Sequence, residues 1–344
     1  MSRVLVVTGL LVLSACRVEV GAPRVRQQAA DSQPTGRVTV YTSMYRHVID
    51  AMKPILEEAL PEVEVEWLQG GSEKLATRLD AELTAGTPSA DLVMTSDPLW
   101  YRRLAEERHL AAFAPIPALA MPRTLVDPRG YFVTSRISTM VLAYNEEHVK
   151  PDEVPRTFLD LFDERFVGRV TTPDPLGSGT TFTTLAFLVH THGEDVMQRM
   201  KAAKTIASGG NSSTMTRLES GEHHVGFVLL ENVLAAEKRG TPVKWKLPEE
   251  GAVIIPGPVA LLAKGPNPVA ARAVYEVLLS KAAQEKIVDG LMHAPFDTLE
   301  PPTGAPPLPK LLDTKYQWTD DFVHAAVDQS QTLREKFSAI MGGH

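Results

Sequence analysis

The order of apolar and polar positions along the chain predicts strands that alternate with helices. Short runs of β-branched and aromatic residues, or apolar side chains at every second position, are typical of strands, and apolar residues three and four apart are typical of helices. In the first part of the chain these patterns predict strands at 38–42, 62–67 and 90–94 and helices at 46–60, 73–85 and 98–107. Ser72 is the predicted N-cap of the helix that begins at Glu73.

The same alternation begins again in the second part of the chain. Strands are predicted at 137–144, 169–172 and 225–229, and helices at 155–166, 181–190, 268–279 and 320–341. Between them, 253–262 is an apolar stretch interrupted by Pro256, Gly257 and Pro258, and 301–309 is too rich in proline for regular structure. Strands that alternate with helices form a mostly parallel sheet covered by helices, so the predicted fold class is α/β.

The first 16 residues have the pattern of an export signal. Arg3 precedes the apolar run 4–13, which is too short to cross a bilayer because a spanning helix needs about 20 apolar residues. The sequence Leu13-Ser14-Ala15-Cys16 resembles the bacterial lipobox, in which the cysteine is lipidated, and Cys16 is the only cysteine in the chain. A plain signal peptide with a chance cysteine is the alternative. The polar segment 17–36 predicts a flexible tether after the signal.

Length and charge narrow the classes of protein. The roughly 300 residues after the tether exceed the usual size of one hydrophobic core and predict two lobes. The net charge is −7 and no basic stripe is visible, which argues against nucleic acid as a partner. No second apolar segment approaches spanning length. We therefore expect a protein anchored to a membrane by its lipid and not threaded through it.

The motifs of common enzymes and metal sites are not matched. Gly177-Ser178-Gly179-Thr180-Thr181 lacks the lysine and spacing of a Walker motif, and Ser178 does not stand in Gly-x-Ser-x-Gly. Neither His190-Thr191-His192 nor His223-His224 has the glutamate and second histidine of a zincin. The sequence therefore predicts no catalytic residue, no cofactor and no metal site.

Two polar, glycine-containing loops precede predicted helices in the second part of the chain. These are Gly177-Ser178-Gly179-Thr180-Thr181 and Gly209-Gly210-Asn211-Ser212-Ser213-Thr214. The first N–H groups of a helix have no partner within it and its dipole favours negative charge, so such loops can cradle an anion. Ser178 and Ser212 can equally be plain N-caps. The residues alone leave both roles open.

With these segments in view, the chain resembles the extracellular solute-binding proteins of bacterial ABC importers, which include the ferric-iron binders and their phosphonate- and sugar-phosphate-binding relatives. The resemblance runs from about residue 37 to 302. It is carried by Val38-Thr39-Val40-Tyr41-Thr42-Ser43, Pro88-Ser89-Ala90-Asp91-Leu92-Val93, Gly168-Arg169-Val170, Pro173-Asp174-Pro175, Gly177-Ser178-Gly179-Thr180, Ser220-Gly221-Glu222 and Val225-Gly226.

The resemblance implies a two-lobed periplasmic-binding-protein clamp, each lobe a mixed sheet flanked by helices, which closes on a ligand between the lobes. On the family pattern, 37–137 with 256–300 form lobe 1 and 141–255 form lobe 2, followed by a C-terminal segment and helix at 301–344. Closure would let a permease distinguish the loaded protein from the empty one.

The resemblance also allows the ligand class to be examined position by position. Ferric binders of the family hold the metal with two adjacent tyrosines, a histidine and a carboxylate, and these positions fall on Leu230-Glu231, on Tyr45 and nearest to Ser96-Asp97. Loss of both phenolates removes the hard oxygen donors that ferric ion requires. We therefore expect that the protein does not bind ferric ion directly.

The positions that hold phosphate or another anion in the family carry suitable donors here. They fall on Ser178, Gly179, Thr180 and Asn211, with Ser212 beside them. The resemblance thus implies a small anionic ligand, such as a phosphonate, a phosphate ester or an organic acid. Loops of lobe 1 would close over it with Ser43, Tyr45, Gly71 and Ser72. As a hypothesis, Asp97 and Glu231 pair with an amine or with sugar hydroxyls at the far end of the ligand.

Three other functions compete with this one. A ferric-iron or iron-chelate binder would use Tyr45, Asp97 and Glu231 in place of the tyrosine pair. A phosphoester hydrolase would act in the same cleft, and a ligand sensor would use the same clamp without transport. The preferred interpretation is a monomeric lipoprotein of the periplasm or cell envelope whose partners are a small anion and an ABC permease.

Overall fold

The computed structural model describes residues 33–113, 126–296 and 298–342, so the predicted signal, Cys16 and most of the tether lie outside the described residues. The strands are β1 (Gly36–Thr42), β2 (Val63–Gln69), β3 (Leu92–Met94), β4 (Val133–Asn145), β5 (Val170–Thr172), β6 (Ile206–Ala207), β7 (Val225–Leu229), β8 (Val243–Lys246) and β9 (Val253–Leu261).

Six of the seven predicted helices are present, the last of them divided in two, and the described residues form further helices that the sequence did not predict. The helices are α1 (Arg46–Ala59), α2 (Ser72–Thr84), α3 (Pro98–Glu106), α4 (Gly179–His192), α5 (Asp195–Ala202), α6 (Asn211–Glu219), α7 (Leu230–Lys238), α8 (Pro268–Leu278), α9 (Lys281–Asp289), α10 (Leu308–Leu312), α11 (Asp320–Asp328) and α12 (Ser330–Met341). Within the described ranges, no helix has the length and apolar content needed to span a membrane. The predicted α/β class is confirmed.

The strands form one mixed sheet, and the described residues from 34 to 342 belong to one compact unit. Their order is β2-β1-β3-β9-β4-β7-β5-β6, and β8 pairs with β4. β1 runs parallel to β2 and β3, and β5 runs parallel to β6 and β7, whereas the long strands β4 and β9 are antiparallel to each other. We call β1–β3 with α1–α3, α8 and α9 the first lobe, and β5–β8 with α4–α7 the second lobe.

Each lobe buries its own apolar side chains. The first-lobe core packs Val40, Met52 and Val274 against one another from strand and helices. The second-lobe core contains Phe182 and Phe227. Complete burial of an aliphatic or phenyl side chain stabilises a fold by roughly 1.5–3 kcal/mol, so these cores hold β1–β3 and β5–β7 in place and fix where their terminal loops meet.

The structure differs from the sequence prediction at residues 155–166 and at Ser72. Residues 155–166 form two 3-10 turns, Leu159–Phe162 and Glu164–Phe166, and not a helix. The Asp160 carboxylate accepts hydrogen bonds from the N–H groups of Arg156 and Thr157, which a continuous helix would bond differently. Ser72 is wrong as an N-cap, because Gly71 occupies that position and the Ser72 hydroxyl instead accepts a hydrogen bond from the N–H of Ser96.

The proline-rich segments are more regular than predicted. β9 runs unbroken through Pro256, Gly257 and Pro258, and the irregularity is a register shift in its partner β4 between Thr134 and Arg136. The short α10 carries its proline in the first turn, where a missing N–H costs no hydrogen bond. The predicted C-terminal helix is two helices, α11 and α12, separated at Gln329.

Candidate functional site

A cavity of about 340 Å³ lies between the two lobes, where their strands end. We call it the interlobe cavity. It is lined by every predicted ligand-binding residue except Asp97, namely by Ser43, Tyr45, Gly71 and Ser72 of the first lobe and by Ser178, Gly179, Thr180, Asn211, Ser212 and Glu231 of the second lobe. The structure therefore brings together residues that are as much as 188 positions apart, from Ser43 to Glu231.

The N-terminus of α4 forms one wall of the interlobe cavity. The hydroxyl of Ser178 accepts a hydrogen bond from the N–H of Thr181 at 3.4 Å, so Ser178 is the N-cap of α4. The same hydroxyl lies 3.0 Å from Thr180 Oγ1 and faces the cavity. The N-cap role is therefore observed, and the place of Ser178 in the wall directs the positive end of the helix dipole at the cavity, while its role toward an anion stays a prediction.

The N-terminus of α6 forms the neighbouring part of the wall. Asn211 is the first residue of α6, and its Oδ1 accepts a hydrogen bond from the N–H of Leu229 at 3.3 Å. Because the oxygen is used, the amide NH2 is the group of Asn211 that remains to donate. Ser212 lines the cavity but caps no helix, since the N-cap of α6 is Gly210 and makes no side-chain bond.

Arg136 is a cavity residue that sequence reasoning missed. It lies on β4, is 2% exposed, and donates from Nη2 to Ser43 Oγ at 2.9 Å and to Ser96 Oγ at 2.6 Å. Its Nη1 is buried and has no hydrogen-bond partner, and no salt bridge to Arg136 occurs among residues 33–113, 126–296 and 298–342. Burial lowers the pKa of Arg136 from its ordinary value, but a guanidinium remains protonated at neutral pH.

Gly257 makes room for this arginine. It stands opposite Arg136 in the β4–β9 pair, and a Cβ at Gly257 would lie 2.8 Å from Arg136 Cγ. The sequence did carry a signal for this site. It has a single arginine within an apolar strand, and a Pro-Gly-Pro sequence within another strand. This signal could not be used because the pairing of β4 with β9 is set by tertiary structure.

Glu231 and Tyr45 bring a carboxyl group and a phenol to the cavity. Ser138 Oγ donates to Glu231 Oε1 at 2.8 Å, and burial raises the pKa of Glu231 to about 7. Tyr45 of the first lobe donates its hydroxyl hydrogen to Asn232 Oδ1 of the second lobe at 2.9 Å. Burial also raises the pKa of Tyr45, so Tyr45 remains a neutral donor and not a phenolate.

Asp97 does not belong to the interlobe cavity, and its predicted place there is wrong. Its carboxylate caps α3 by accepting a hydrogen bond from the N–H of Trp100 at 3.3 Å, and burial raises its pKa. It lines a separate cavity together with Glu73. The chain turns between β3 and α3 so that Ser96, one residue earlier, faces the interlobe cavity instead.

The two lobes touch at glycine residues on the rim of the cavity. A Cβ at Gly179 would lie 3.0 Å from the carbonyl oxygen of Ser96 and 3.2 Å from Ser72 Cβ. A Cβ at Gly71 would lie 3.3 Å from the carbonyl oxygen of Gly177. Hydrogen in place of a side chain is therefore what permits this approach of α4 to the first lobe.

Comparison with known proteins agrees with this arrangement. Residues 87–321 match the family described as bacterial extracellular solute-binding protein. The chain belongs to this family. For a solute-binding protein, a cleft between lobes is the expected ligand site, and the predicted two-lobed clamp and solute-binding function are confirmed at the level of the family.

Relatives of this solute-binding protein differ in what their names say they bind. A periplasmic protein of Salmonella typhimurium named for 2-aminoethylphosphonate binding is 26% identical over 237 residues, which cover 65% of this chain and 67% of that protein. Iron-bound HitA of Pseudomonas aeruginosa has a TM-score of 0.76 at 20% identity and covers 88% of this chain and 99% of its own.

A third relative binds a sugar phosphate. AfuA of Actinobacillus pleuropneumoniae, solved with fructose-6-phosphate, has a TM-score of 0.76 at 23% identity and covers 90% of this chain and 99% of its own. At these identities the solved structures establish the shared fold and not a shared ligand. The ligand of this solute-binding protein must therefore be argued from its own cavity.

Proposed function

We propose that this protein captures a small anionic solute, such as a phosphonate, a phosphate ester or an organic acid, in the interlobe cavity and presents it to an ABC permease. The observation that carries the proposal is the unpartnered Nη1 of Arg136. A buried charge without a counter-ion is costly, and an anion in the cavity would relieve that cost. Arginine is suited to phosphate and carboxylate because its planar fork offers two parallel N–H donors.

The rest of the wall supplies further donors for the same group. The N-terminus of α4 directs its dipole at the cavity, and Thr180 adds a hydroxyl next to it. The amide of Asn211 adds a neutral donor from α6. Hydrogen bonds to a charged group are worth about 1.5–3 kcal/mol each, so a few such bonds account for specific binding of an anion.

Glu231 argues for a ligand with a second functional group. Its carboxyl group lies in the same cavity as Arg136, and the charge of Arg136 lowers the pKa of Glu231 while that of Glu231 raises the pKa of Arg136, in both cases against the larger effect of burial. An ionised Glu231 would weaken the binding of a bare anion without preventing it, whereas an amine or a sugar hydroxyl could pair with the carboxylate. The names of the Salmonella and Actinobacillus relatives include one ligand of each kind.

The competing functions receive less support from the cavity. The two positions where ferric binders carry tyrosines are Leu230 and Glu231 here, and Tyr45 is held protonated by its burial. Within residues 33–113, 126–296 and 298–342, no group of three or more His, Cys, Asp or Glu is arranged to hold a metal ion. A hydrolase would need a base beside a nucleophile, but the groups that contact Ser178 Oγ are from Thr180 and Thr181.

The location also follows from the sequence pattern. We infer that the protein is lipidated at Cys16 and acts as a monomer tethered in the periplasm or cell envelope. The lipobox-like Leu13-Ser14-Ala15-Cys16 supports lipidation. The test is fractionation of cells that express the wild type or Cys16→Ser: the wild type is expected in the membrane fraction and the variant in the soluble fraction. Membrane association of both proteins would refute the anchor.

The ligand proposal is tested by thermal unfolding with phosphate, 2-aminoethylphosphonate, fructose-6-phosphate, a dicarboxylate and ferric citrate. A ligand at 100 times its dissociation constant should add about 2.7 kcal/mol to the free energy of unfolding. We expect a shift with at least one phosphorus-containing anion, which Ser178→Ala and Asn211→Ala abolish and the exposed control Ser220→Ala retains. A shift with ferric citrate alone would replace the proposal with the iron-binding alternative.

A further inference from the structure

The C-terminal helices α11 and α12 form a hairpin that contacts both lobes. α11 packs on α3 of the first lobe and on α4 of the second, and α12 packs on α5. Phe322 and Phe337 of the hairpin share a buried cluster with Leu99 of α3. The hairpin is therefore placed where the lobes meet, beside the separate cavity that Asp97 and Glu73 line.

The hairpin is bonded to the second lobe and to the long strand β9. Trp318 Nε1, just before α11, donates to the carbonyl oxygen of Ile254 on β9 at 2.8 Å. Lys336 of α12 pairs with Glu194, which precedes α5. When the lobes separate, the hairpin is expected to stay with the second lobe, and its contacts to the first lobe are the ones that must break.

One side chain of the hairpin, Arg334, reaches α2 of the first lobe and α4 of the second, and the first residues of both helices line the interlobe cavity. Arg334 binds Glu73 of α2 through two contacts, Nη1 to Oε2 at 3.0 Å and Nη2 to Oε1 at 3.2 Å. Its guanidinium also lies over the ring of Phe182 of α4, 3.7 Å from the ring centre. Glu73 directly follows the cavity residue Ser72, and Phe182 accompanies the N-cap Ser178 in the first turn of α4.

We propose that Arg334 is a positioning residue that holds the two lobes together, and thereby sets the affinity of the interlobe cavity without touching the ligand. Glu73 and Phe182 belong to different lobes, so the three-residue stack Glu73–Arg334–Phe182 exists only while the lobes are in contact. We call it the clasp. Its role in affinity rests on the proposed function, but its role in lobe contact does not. Arg334 lies beyond residues 87–321, which match the family.

Burial shields the clasp from solvent screening, but the same desolvation raises the pKa of Glu73 to about 7, so the ion pair is fully formed only above that pH. The side chains of Arg334 and Glu73 are 23% and 16% exposed, and both line a second cavity of about 580 Å³ between the lobes and the hairpin. A bidentate contact stacked on an aromatic ring is also the geometry in which arginine cannot be replaced by lysine without loss. The clasp therefore adds a defined preference for contact between the lobes.

The consequence for binding is a change in the fraction of molecules whose lobes are together. The apparent dissociation constant equals the intrinsic one divided by the fraction in the binding-competent state. Loss of the clasp lowers that fraction. We expect Arg334→Gln to raise the apparent dissociation constant for inorganic phosphate by about tenfold, chiefly through faster release, while Arg334→Lys gives an intermediate value.

The experiment measures the lobe-to-lobe distance directly in the full chain. Spin labels are attached at Lys53→Cys on α1 and Lys201→Cys on α5, in a Cys16→Ala background, and the distance distribution is recorded by pulsed electron spin resonance without and with inorganic phosphate. Arg334→Gln is expected to add a population at longer distance in the phosphate-free sample. Glu73→Gln is expected to act in the same direction, which keeps the test decisive if one variant folds poorly.

The matched control is Arg239→Gln. Arg239 pairs with Glu219 at 2.6 Å, and both residues belong to the second lobe, so its loss should leave the distance distribution unchanged. If Arg334→Gln and Glu73→Gln both show the same distance distribution as the wild type, the proposed clasp is refuted. If they widen it but phosphate and the other anions bind to none of the proteins, the clasp stands and the proposed function fails.

Discussion

The hydroxyl of Tyr45 and the amide oxygen of Asn232 form a hydrogen bond of 2.9 Å that joins the first lobe to the second across the ligand cavity. Tyr45 immediately precedes α1, and Asn232 lies in the first turn of α7. The bond is possible only when the lobes are in contact. It therefore stabilises the closed arrangement of the lobes around the cavity. Its removal gives a first prediction.

Tyr45→Phe removes this bond and leaves the ring in place. A hydrogen bond of this kind contributes about 0.5–1.5 kcal/mol, so we expect the dissociation constant for the anionic ligand to rise roughly two- to tenfold. The midpoint of ligand-free unfolding should change little. Calorimetric titration measures the affinity, with Tyr131→Phe, which does not line the interlobe cavity, as the control. Equal affinities for the two variants would show that the bond does not support closure.

Arg136→Met tests the charge at the cavity wall. Removal of a buried cation that has no carboxylate partner relieves a desolvation cost, so the ligand-free protein should be no less stable than the wild type to within about 1 kcal/mol. Loss of the charged donor should weaken anion binding on the order of 100-fold. Chemical denaturation and calorimetry provide the two measurements. The exposed Arg199→Met serves as the control, and unchanged affinity in Arg136→Met would contradict the assignment.

Glu231 predicts a specific dependence of stability on pH. Burial raises its pKa to about 7 from an ordinary value of 4.5, so the folded protein keeps a proton that the unfolded chain has released. The stability from this proton is fully present below about pH 4.5 and is lost as the pH rises through 7. Relative to Glu231→Gln, the free energy of unfolding of the wild type should fall by about 2–3 kcal/mol between pH 5 and pH 8.

This comparison needs a control at an exposed carboxylate. Glu285→Gln changes an exposed carboxylate on α9 and should follow the wild type across the same pH range. Denaturant titrations at a series of pH values give the free energies. A constant difference between the wild type and Glu231→Gln would mean that the carboxyl group of Glu231 has an ordinary pKa in the folded protein.

Gly179→Ala tests the close approach of α4 to the first lobe. A methyl group there would lie 3.0 Å from the carbonyl oxygen of Ser96, so the lobes must separate slightly to accept it. We expect weaker anion binding by about tenfold or more, with a smaller loss of unfolding temperature, because the second-lobe core is untouched. Gly210→Ala is the matched control, since a methyl group at that cavity residue meets no atom within 4 Å.

Local sequence patterns predicted most elements because the apolar stripes that define them are local. α1 places Val48, Met52 and Leu56 on one face, and the predicted helix ends within one residue of the observed one. The ten predicted residues of the cavity came from the family resemblance, which supplied the pairing of distant loops. The boundaries predicted for the lobes stay a prediction.

The features that were missed depend on tertiary contacts. The place of Arg136 in the cavity depends on the pairing of β4 with β9, which puts Gly257 opposite it. Asp97 was misplaced because a carboxylate after a strand can either cap the next helix or face the cleft. A shift of one position along the chain, from Ser96 to Asp97, separates the two roles. The turns at 155–166 depend on the Asp160 carboxylate and on a bond from the N–H of Phe158 to Glu250, which is distant in sequence.

Arg136 lies on a strand that serves both lobes, yet its hydrogen bonds go to Ser43 and Ser96, both in the first lobe. The guanidinium should therefore travel with the first lobe when the clamp opens. An arriving anion would meet this charge first, and the helix N-termini of α4 and α6 would come to it afterwards. Capture would thus be sequential, with docking on one half of the molecule preceding enclosure by the other.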